Sequence, residues 1–478
     1  MSHDPSPINQ DFRRAAETIL GQHRIKSDAS DREPYEIDFW RQYRGRAGLV
    51  LQPQTTAEVA ALVQAAQTHK VALVPQAGNT GLVKGGIPDA TGTAAVLSLQ
   101  GLNKIRAIDP TGDFLICEAG CVLQDIQTAA DEAGRFFPLS LGSQGSCRIG
   151  GNISTNAGGV NVLRYGMMRQ SVLGIEVVLP NGEIWDGLKS LKKDNTGYDL
   201  KQLFIGGEGT LGIVTAASLK LAPKPVETVT LWLPVLSPAI AVELYTLFTA
   251  KMGELISSFE LLTGFGLQAA IDHLPGVRPP VDSNLPWHCL IELAWSFDEG
   301  LMAHAETILQ SAFETELIDD GAIAQTTQQA DNMWRIREGQ SEATRHIGSI
   351  LRTDISVPTQ AIPALINTVQ TAVDALPSAI TLLPFGHIGD GNLHFNFLLP
   401  PDDDTPQLRG QLLDLLYDQI DALDGSISAE HGIGRLKQAA MLQRKSATEL
   451  TMMRAIKTAF DPNNIMNPGV ILPSPAAD

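Results

Sequence analysis

Cysteines are few in this chain of 478 residues. There are four of them, and no two have the spacing of a CxxC pair: Cys117, Cys121, Cys147 and Cys289. Small secreted domains usually carry a dense disulfide framework, and zinc ribbons use CxxC pairs. The sequence therefore indicates neither of these, and it fits a reducing compartment.

Long apolar runs are also missing. The first residues, MSHDPSPINQDFRR, contain no apolar core of a signal peptide. The most apolar long stretch, residues 229–248, is interrupted by Pro234, Pro238 and Glu243, whereas a membrane-spanning helix needs about 20 predominantly apolar residues. We therefore expect no membrane span and, with the few cysteines, a cytoplasmic protein.

Basic residues are scarce relative to acidic ones, with 35 lysines and arginines against 53 aspartates and glutamates, a formal net charge of -18. Nucleic-acid binding requires a basic footprint against the phosphates, so no nucleic-acid partner is expected. The hydrophobic fraction of 44% and the charged fraction of 18% are ordinary for a globular protein. A length of 478 residues predicts two or three domains.

Several motifs of common enzyme classes are absent. The chain has no GK dipeptide and so no P-loop, and neither GxSxG nor HExxH occurs, which excludes the simplest hydrolase assignments. A GxGxxG pattern is present at Gly207, Gly209 and Gly212, but a Rossmann motif must open a helix. Here IVTAASLKLAPKP follows, which alternates like a strand and then has prolines. We therefore reject a Rossmann dinucleotide site.

Changes in glycine content and in secondary-structure pattern divide the chain into three parts. Thr55 and Glu58 have capping-box spacing, and helix and strand patterns then alternate with glycine-rich connections up to residue 225. Residues 226–424 have fewer glycines, strands such as HCLIELAW and longer helical patterns such as PQLRGQLLDLLYDQIDAL. Residues 425–478 are again rich in glycine. The sequence predicts an α+β protein whose tail closes back on the first domain.

Two histidines stand seven positions apart among glycines and asparagines in GHIGDGNLHFNF, residues 386–397. Side chains alternate along a strand, so this odd separation would place His387 and His394 on opposite faces of one continuous strand. The second half alternates like a half-buried strand, and the glycines before it supply a bend that could bring His387 over the same face. The pair is a candidate metal site, and two hydrogen-bonded structural histidines are the alternative.

Three glycine-rich stretches lie in the first half of the chain, at residues 75–86, 141–159 and 204–212. Glycine lets the backbone approach a ligand and turn its N–H groups toward phosphate oxygens. Three such loops suggest a large phosphorylated cofactor, and tight turns are the alternative for any one of them.

The residues of these segments and their order along the chain resemble those of a known family. PQAGNTG, GSCRIGGNISTNAGG and GGEGTLGIVT, followed by GHIGDGNLHFN, SAEHGIG and FDPNNIMNPG, are similar to the FAD-dependent D-2-hydroxyacid dehydrogenases of the vanillyl-alcohol-oxidase fold. The resemblance implies a PCMH-type FAD-binding domain of two subdomains in residues 1–225. It implies an α+β substrate domain with a central antiparallel sheet in residues 226–424. Residues 425–478 would pack on the FAD domain and complete the active site.

The resemblance implies FAD as the cofactor, bound without a covalent bond because the loop of residues 75–81 has no histidine that could anchor it. Ala77 and Gly207 depart from the family's common glycine and serine without removing a needed side chain. Carried over residue by residue, the cofactor-binding positions are Pro75, Gly78, Asn79, Thr80, Gly81, Gly142, Ser146, Gly150, Gly151, Asn152, Thr155, Asn156, Gly158, Gly159, Gly209, Ile213 and Asn467.

A metal site and a catalytic base also follow from the resemblance. His387, His394 and Glu430 match the family's ligands, a nitrogen and oxygen set suited to zinc or manganese. His431 matches the catalytic base, which takes the hydroxyl proton while hydride leaves the adjacent carbon for the flavin. The alternative for His431 is a structural loop residue.

The substrate positions implied by the family are Arg337, Ser341, Arg352, Asn396 and His431, of which Ser341 and Arg352 stand where the family has threonine and lysine. Asn396 would bind the carboxylate beside the reacting carbon. A four-residue step places Arg337 and Ser341 on one face of a helix, and Arg352 lies on the strand-like segment after it. This set predicts D-2-hydroxyglutarate in preference to D-lactate, with D-malate as a further candidate. The alternative is that both arginines form surface pairs with nearby acids: Glu338, Glu342 or Asp354.

The expected partners are a small D-2-hydroxy acid and an electron acceptor, for which the resemblance implies an electron-transfer flavoprotein or a quinone. A homodimer is compatible with the sequence. Two functions of other classes compete with the dehydrogenase: a zinc hydrolase built from the same ligands, and a non-catalytic flavin-binding protein. Retention of all four residues His387, His394, Glu430 and His431 argues against the latter.

Overall fold

The computed structural model of the chain describes residues 7–297 and 300–474. Residues 1–6, which begin the N-terminal segment without a signal-peptide core, lie outside this part. The chain forms two compact units. The first unit comprises Met1–Gly159, Gly166–Lys224 and Glu430–Asp478, and the second comprises Val160–Tyr165 and Pro225–Ala429. The domain boundaries expected after residues 225 and 424, and the roles assigned to the domains, stay predictions.

The α-helices of the described residues are, in chain order, α1 Gln10–Leu20, α2 Ala29–Glu36, α3 Thr56–His69, α4 Leu123–Glu132, α5 Ile149–Ser154, α6 Val162–Tyr165, α7 Met168–Ser171, α8 Lys201–Phe204, α9 Pro238–Met252, α10 Gly264–His273, α11 Leu301–Glu314, α12 Thr327–Glu338, α13 Gln340–Ala343, α14 Ile362–Asp374, α15 Pro406–Ala422, α16 Gln438–Arg444 and α17 Ala447–Phe460. None of these helices is long and apolar enough to cross a membrane.

The β-strands of the same residues are β1 Ile25–Lys26, β2 Leu49–Leu51, β3 Leu73–Gln76, β4 Ala95–Ser98, β5 Ile105–Asp109, β6 Phe114–Glu118, β7 Arg135–Phe136, β8 Val172–Val178, β9 Ile184–Gly187, β10 Ile213–Lys220, β11 Ala222–Pro223, β12 Glu227–Val235, β13 Ile256–Thr263, β14 Trp287–Trp295, β15 Ala322–Ile323, β16 Ser349–Leu351, β17 Ile355–Ser356, β18 Thr381–His387 and β19 Asn392–Leu399.

The first unit contains two main sheets, each with its own apolar core. The first sheet has the order β1-β2-β4-β3, in which β4 is parallel to both β2 and β3. Phe12 of α1 and Leu62 of α3 are buried with Leu73 in its core. The second sheet, β5-β6-β10-β8-β9, is antiparallel, and its core includes Ile175 and Leu219. This is the two-subdomain arrangement expected for the first domain.

Local sequence signals account for these elements. The Thr55 hydroxyl accepts the Glu58 N–H at 3.2 Å and caps α3. The Glu58 carboxylate instead accepts the N–H of Gln54 and pairs with Arg24, so only half of the expected capping box forms. After the third glycine stretch the chain enters β10 at Ile213, as the rejection of a Rossmann motif requires.

The second unit is built on one antiparallel sheet, in the order β15-β12-β14-β13-β18-β19-β16, with β17 also pairing β19. Alternation along β13 gives this sheet two different faces. On one face the Phe259 ring packs against Phe248 of α9. The opposite face carries Leu262, which packs with Leu267 of α10 and Ile336 of α12, and it also carries Glu260. A carboxylate thus lies on the face that the helices α10 and α12 cover.

Candidate active site

In the first unit the three glycine stretches meet. A Cβ added to Gly78 would lie 2.6 Å from the Ser146 carbonyl oxygen, and one added to Gly151 would lie 3.3 Å from the Ala77 Cβ. Gly209 has φ +71 and its backbone lies directly against the Pro75 ring. Because side chains at these positions would separate the loops, the glycines allow three backbone segments to pack together.

Backbone hydrogen bonds extend this contact to the C-terminal segment. The N–H of Glu208 donates to the Ser154 carbonyl at 2.8 Å, which joins the second and third stretches. Asn467 donates its backbone N–H to Leu73 at 2.8 Å and its amide group to the carbonyls of Gly85 and Glu208. The tail of the chain therefore holds two glycine loops in place.

Three amide oxygens in this region are buried without a hydrogen-bond partner among the described residues: Gln76 Oε1, Asn152 Oδ1 and Asn467 Oδ1. Buried polar atoms of folded proteins are nearly always satisfied, so these acceptors indicate a bound group with donors. A Cβ at Gly81 or Gly142 would meet no atom of the described chain within 4 Å. Bare backbone beside open space, with orphaned acceptors nearby, fits a cofactor that carries hydroxyl and N–H groups, as FAD does.

Other expected cofactor positions shape these loops. Asn79, at φ 55, donates to the carbonyls of Pro34 and Ile37, both at 3.0 Å. Asn156, at φ 50, accepts the Arg169 N–H at 2.9 Å. The remaining positions lie in the same loops or on elements that join them: Thr80, Gly150, Thr155, Gly158, Gly159 and Ile213. A groove of about 590 Å³ adjoins Gly78 and Asn79.

The loop that carries Glu430 and His431 is anchored within the first unit. The buried Glu208 carboxylate accepts the N–H groups of Ile433 at 2.8 Å and Gly434 at 2.9 Å. Burial raises the pKa of Glu208 to about 7, against the effect of these two hydrogen bonds. Glu430 accepts the Gly159 N–H at 3.1 Å, and its other oxygen lies 3.7 Å from His431 Nε2. The two residues expected to act as carboxylate ligand and base are therefore attached to the glycine loops.

In the second unit the two histidines lie on neighbouring strands of a hairpin. His387 ends β18 opposite Asn392, and His394 of β19 lies opposite Phe385. The change of direction expected at the glycines is present as a hairpin turn, but neither histidine sits in the bend, because both are strand residues. Their rings still share a face, with centroids 6.0 Å apart.

Glu260 connects His387 to Arg337. One carboxylate oxygen lies 2.6 Å from His387 Nδ1, and the other accepts from Arg337 Nε. Burial alone would raise the pKa of Glu260, but the charges of Arg337 and His387 outweigh it and hold this pKa well below the ordinary value. Burial likewise disfavours the charged His387, yet the Glu260 carboxylate raises the pKa of His387 to about 9. The result is a buried triad of alternating charge.

The arginine of this triad also approaches the candidate ligands. Arg337 Nη2 lies 3.4 Å from His387 Nε2, and its guanidinium carbon lies 5.0 Å from the Phe385 ring centroid. Because Nε is committed to Glu260, the terminal amino groups are the part of the guanidinium that can bind a further anion. The alternative that Arg337 forms a surface pair is wrong, since its partner is buried and lies on another element.

Asp354 and Asn396 complete this face of the sheet. The buried Asp354 accepts the Asn392 amide at 3.0 Å and the Ala429 N–H at 3.1 Å, and one of its oxygens lies within 4.8 Å of a His394 ring nitrogen. Asn396 accepts the Thr353 N–H at 3.1 Å through its oxygen. The NH₂ group of Asn396 therefore remains as the donor that could bind a carboxylate.

The expected helix through Arg337 and Ser341 is divided. Helix α12 ends at Glu338 and α13 begins at Gln340, with Gly339 between them still close to helical dihedrals. The half-buried Ser341 makes no side-chain hydrogen bond within the described part of the chain. Burial, with the positive charges of Arg345 and Arg409, lowers the pKa of Arg352 to about 10. Arg352 thus lies in a positive field, which favours an anion.

Sequence reasoning missed three acidic residues: Glu208, Glu260 and Asp354. Glu260 had a signal, because it is the one charge in the otherwise uncharged strand ISSFELLT, and a carboxylate in such a strand needs a partner. Glu208 stands within the third glycine stretch at φ 49, a conformation that the sequence does not reveal. Asp354 was considered only as a surface partner for arginine.

Comparisons with known proteins agree with this geometry. A model of the family described as FAD linked oxidases, C-terminal domain, matches residues 224–471, and one described as FAD binding domain matches residues 47–187. The chain is 38% identical to D-2-hydroxyglutarate dehydrogenase, mitochondrial, of Arabidopsis thaliana over 95% of this chain and 80% of that protein. It is 36% identical to the Bos taurus protein of the same name, over 98% of this chain and 85% of that protein.

A likeness in fold extends to more distant proteins. The crystal structure of p-cresol methylhydroxylase with substrate bound superposes with a TM-score of 0.74, at 18% identity, over 99% of both chains. At this identity the likeness shows the fold alone, and it agrees with the PCMH-type fold expected from the motifs.

The predicted cytoplasmic location is wrong. The relatives from Arabidopsis thaliana and Bos taurus are both named as mitochondrial enzymes, which points away from the cytoplasm. Few cysteines and no long apolar run are found in mitochondrial proteins as well as in cytoplasmic ones, so composition does not separate the two.

Two family models that together span most of the chain, and relatives matched over nearly all of it, agree with glycine loops shaped for a flavin nucleotide. The chain belongs to the FAD-linked oxidase family and is an FAD-dependent oxidoreductase.

Proposed function

We propose that the chain oxidises D-2-hydroxyglutarate to 2-oxoglutarate. The observation that carries this proposal is Arg337, a buried guanidinium whose free end lies beside His387 on the face that also carries His394 and Asn396. An anion-binding group next to metal-type ligands suits a substrate with a hydroxyl, a neighbouring carboxylate and a second, distal carboxylate. The printed names of the relatives support this substrate.

The glycine loops of the first unit would hold FAD without a covalent bond. Asn152 and Asn467 would offer their orphaned oxygens to donors of the cofactor, and Gly78, Gly81 and Gly142 would let the backbone approach it. FAD, when bound, supplies the acceptor for the hydride that leaves C2 of the substrate.

A divalent ion, zinc or manganese, would be held by His387, His394 and Glu430, which form a nitrogen and oxygen set of the kind that such ions prefer. When bound, it supplies a Lewis acid that lowers the pKa of the substrate hydroxyl. His387 offers Nε2 for this role, because Nδ1 is engaged with Glu260. Glu430 is held by the Gly159 N–H, which fixes one oxygen of its carboxylate.

The remaining residues have separate tasks. The proton of the 2-hydroxyl oxygen would pass to a ring nitrogen of His431. Asn396 would donate from its NH₂ group to the C1 carboxylate, because its oxygen is occupied by Thr353. Arg337 and Arg352 would bind the distal carboxylate with two charged groups, and Ser341 would add a hydroxyl. An electron-transfer flavoprotein or a quinone would then reoxidise the flavin, as the family resemblance implies.

Dye reduction by the purified flavoprotein tests this proposal. Reduction of an artificial acceptor is followed with D-2-hydroxyglutarate, D-malate, D-lactate and L-2-hydroxyglutarate. We expect the highest kcat/KM with D-2-hydroxyglutarate and almost no activity with the L-enantiomer. An equal or higher kcat/KM with D-lactate contradicts the dicarboxylate assignment, and no reduction with any hydroxy acid contradicts the dehydrogenase assignment.

A further inference from the structure

Glu260 occupies a place where a carboxylate is costly. It lies on β13, between β14 and β18, opposite Leu290 on one side and His387 on the other. Its exposure is 0%. A buried ionised carboxylate is tolerated only where opposite charges and hydrogen bonds compensate its lost hydration. Any role for Glu260 must therefore be found in the groups it touches.

The two oxygens of Glu260 serve different partners. Oε1 lies 2.6 Å from His387 Nδ1 and also accepts the Ser258 hydroxyl at 3.1 Å. Oε2 accepts from Arg337 Nε. The two cationic partners come from different elements, Arg337 from helix α12 and His387 from the end of strand β18.

Each contact fixes the direction of its partner. A hydrogen bond from Nδ1–H to a carboxylate orients the imidazole ring and leaves Nε2 as the nitrogen that a metal would bind, once it has displaced the proton there. For Arg337, a bond through Nε uses the side of the guanidinium and directs the terminal amino groups onward. The two directed ends approach each other, since Arg337 Nη2 lies 3.4 Å from His387 Nε2.

We propose that Glu260 is a positioning residue that orients both the metal ligand His387 and the anion-binding Arg337 through one carboxylate. The metal and the distal carboxylate of the substrate are thereby held at a fixed distance from each other. This inference rests on the roles of Arg337 and His387 under the proposed function. It adds that the two groups are not independent, and that one residue outside substrate contact sets both metal affinity and the preference for dicarboxylates.

The test compares Glu260→Gln with the wild-type holoprotein. Glutamine keeps the shape but offers one acceptor and one NH₂ group, so one of the two donors, His387 Nδ1 or Arg337 Nε, loses its acceptor. Zn²⁺ affinity is measured without substrate, by competition with a chromophoric chelator. The ratio of kcat/KM for D-2-hydroxyglutarate to that for D-lactate is measured separately, because D-lactate has no distal carboxylate.

We expect E260Q to weaken Zn²⁺ binding by roughly 10–100-fold, the usual effect of removing a group that orients a metal ligand. We also expect the substrate ratio to fall at least about tenfold, because a misaligned Arg337 penalises only the dicarboxylate. The matched control is Glu292→Gln on the neighbouring strand β14, whose carboxylate is bound by Trp334 at 2.7 Å and Ser257 at 3.2 Å. It should change neither quantity.

The outcomes separate this inference from the proposed function. Wild-type Zn²⁺ affinity and an unchanged substrate ratio in E260Q overturn the inference, as do equal losses in E292Q. A weaker metal site with an unchanged ratio overturns the coupling to Arg337. If E260Q is recovered without flavin, Glu260→Asp supplies the same two measurements, since it keeps the charge and shortens the reach. Absence of metal binding or of dehydrogenase activity in the wild type refutes the proposed function itself, before any variant is compared.

Discussion

The carboxylate of Glu208 accepts the backbone N–H of Gly434 at 2.9 Å, and a second bond from Ile433 occupies its other oxygen. These bonds tie the third glycine stretch to the loop that begins with Glu430 and His431. A carboxylate placed there affects both the cofactor loops and the proposed base, and its ionisation is coupled to folding because burial raises its pKa to about 7.

Stability should therefore fall as pH rises through the neutral range. The folded-state pKa of Glu208 is raised, so the native protein retains a proton that the unfolded chain loses above about pH 4.5. The favourable contribution is complete below that pH and declines by about 2 kcal/mol between pH 5 and pH 8. Glu208→Gln should remove this decline. The decline in stability is measured as the temperature at which flavin is released, followed by flavin fluorescence at several pH values.

Glu176→Gln is the control for this effect. Burial would raise the pKa of Glu176, but hydrogen bonds from Thr56, Arg106 and Thr215 lower it, so its contribution is lost only below about pH 4.5. The slope between pH 5 and pH 8 should be that of the wild type in E176Q and flatter in E208Q. Identical slopes in E208Q and the wild type would show that Glu208 titrates normally.

Local patterns predicted the elements well because their causes are local. The cap at Thr55, the strand HCLIELAW and the leucine spacing of PQLRGQLLDLLYDQIDAL each depend on neighbours within a few residues. The family motifs placed the glycine loops for the same reason. Local patterns and motifs could not reveal that Arg337 donates a hydrogen bond to Glu260, 77 positions earlier in the chain.

The histidine pair shows how far a periodicity argument reaches. The odd spacing excluded one continuous strand with both rings on one face, and a hairpin turn between the two residues does reset the alternation. Strand pairing then placed both rings on one face. The glycines indicated a change of chain direction, but only the pairing of the two strands across the turn determines which face of the sheet carries each ring.

Metal removal should stop turnover without releasing flavin. The proposed ligands His387 and His394 belong to the second unit, and the glycine loops belong to the first. Dialysis against a strong chelator should abolish dye reduction, Zn²⁺ or Mn²⁺ should restore it, and the flavin absorbance should persist throughout. His387→Ala should behave like the chelated protein, whereas the exposed His304 can be replaced by alanine without effect. Full activity in protein shown to be metal-free contradicts the proposed Lewis-acid role.

Replacing His431 should slow the chemical step. His431→Ala removes the proposed acceptor of the hydroxyl proton, and loss of a general base usually costs about 10²-fold or more in kcat. Flavin and metal content should remain at wild-type levels, because Glu430 and the bonds to Glu208 are unchanged. Rapid mixing with substrate measures flavin reduction directly. A wild-type reduction rate in H431A would assign this histidine to loop structure alone.

The flavin should be released intact by mild denaturation. The loop PQAGNTG contains no histidine that could anchor the flavin covalently. After acid precipitation, FAD should be found in the supernatant in a one-to-one ratio to protein. Yellow colour retained in the washed pellet would show a covalent link at another residue.

Arg337 should decide between dicarboxylate and monocarboxylate substrates. Its Nε is bound to the buried Glu260 and its terminal amino groups point toward His387, so Arg337→Ala removes a pre-oriented, charge-assisted contact. We expect kcat/KM for D-2-hydroxyglutarate to fall by roughly 10²-fold, while kcat/KM for D-lactate changes much less. Arg335→Ala is the matched control, because Arg335 is exposed two positions earlier on the same helix. R337A also leaves Glu260 with only one of its two cationic partners, His387. Flavin content and thermal stability must therefore be compared before the kinetics are interpreted. Equal losses with both substrates would assign Arg337 to the support of His387, and wild-type kcat/KM values with both substrates would move the distal carboxylate to Arg352.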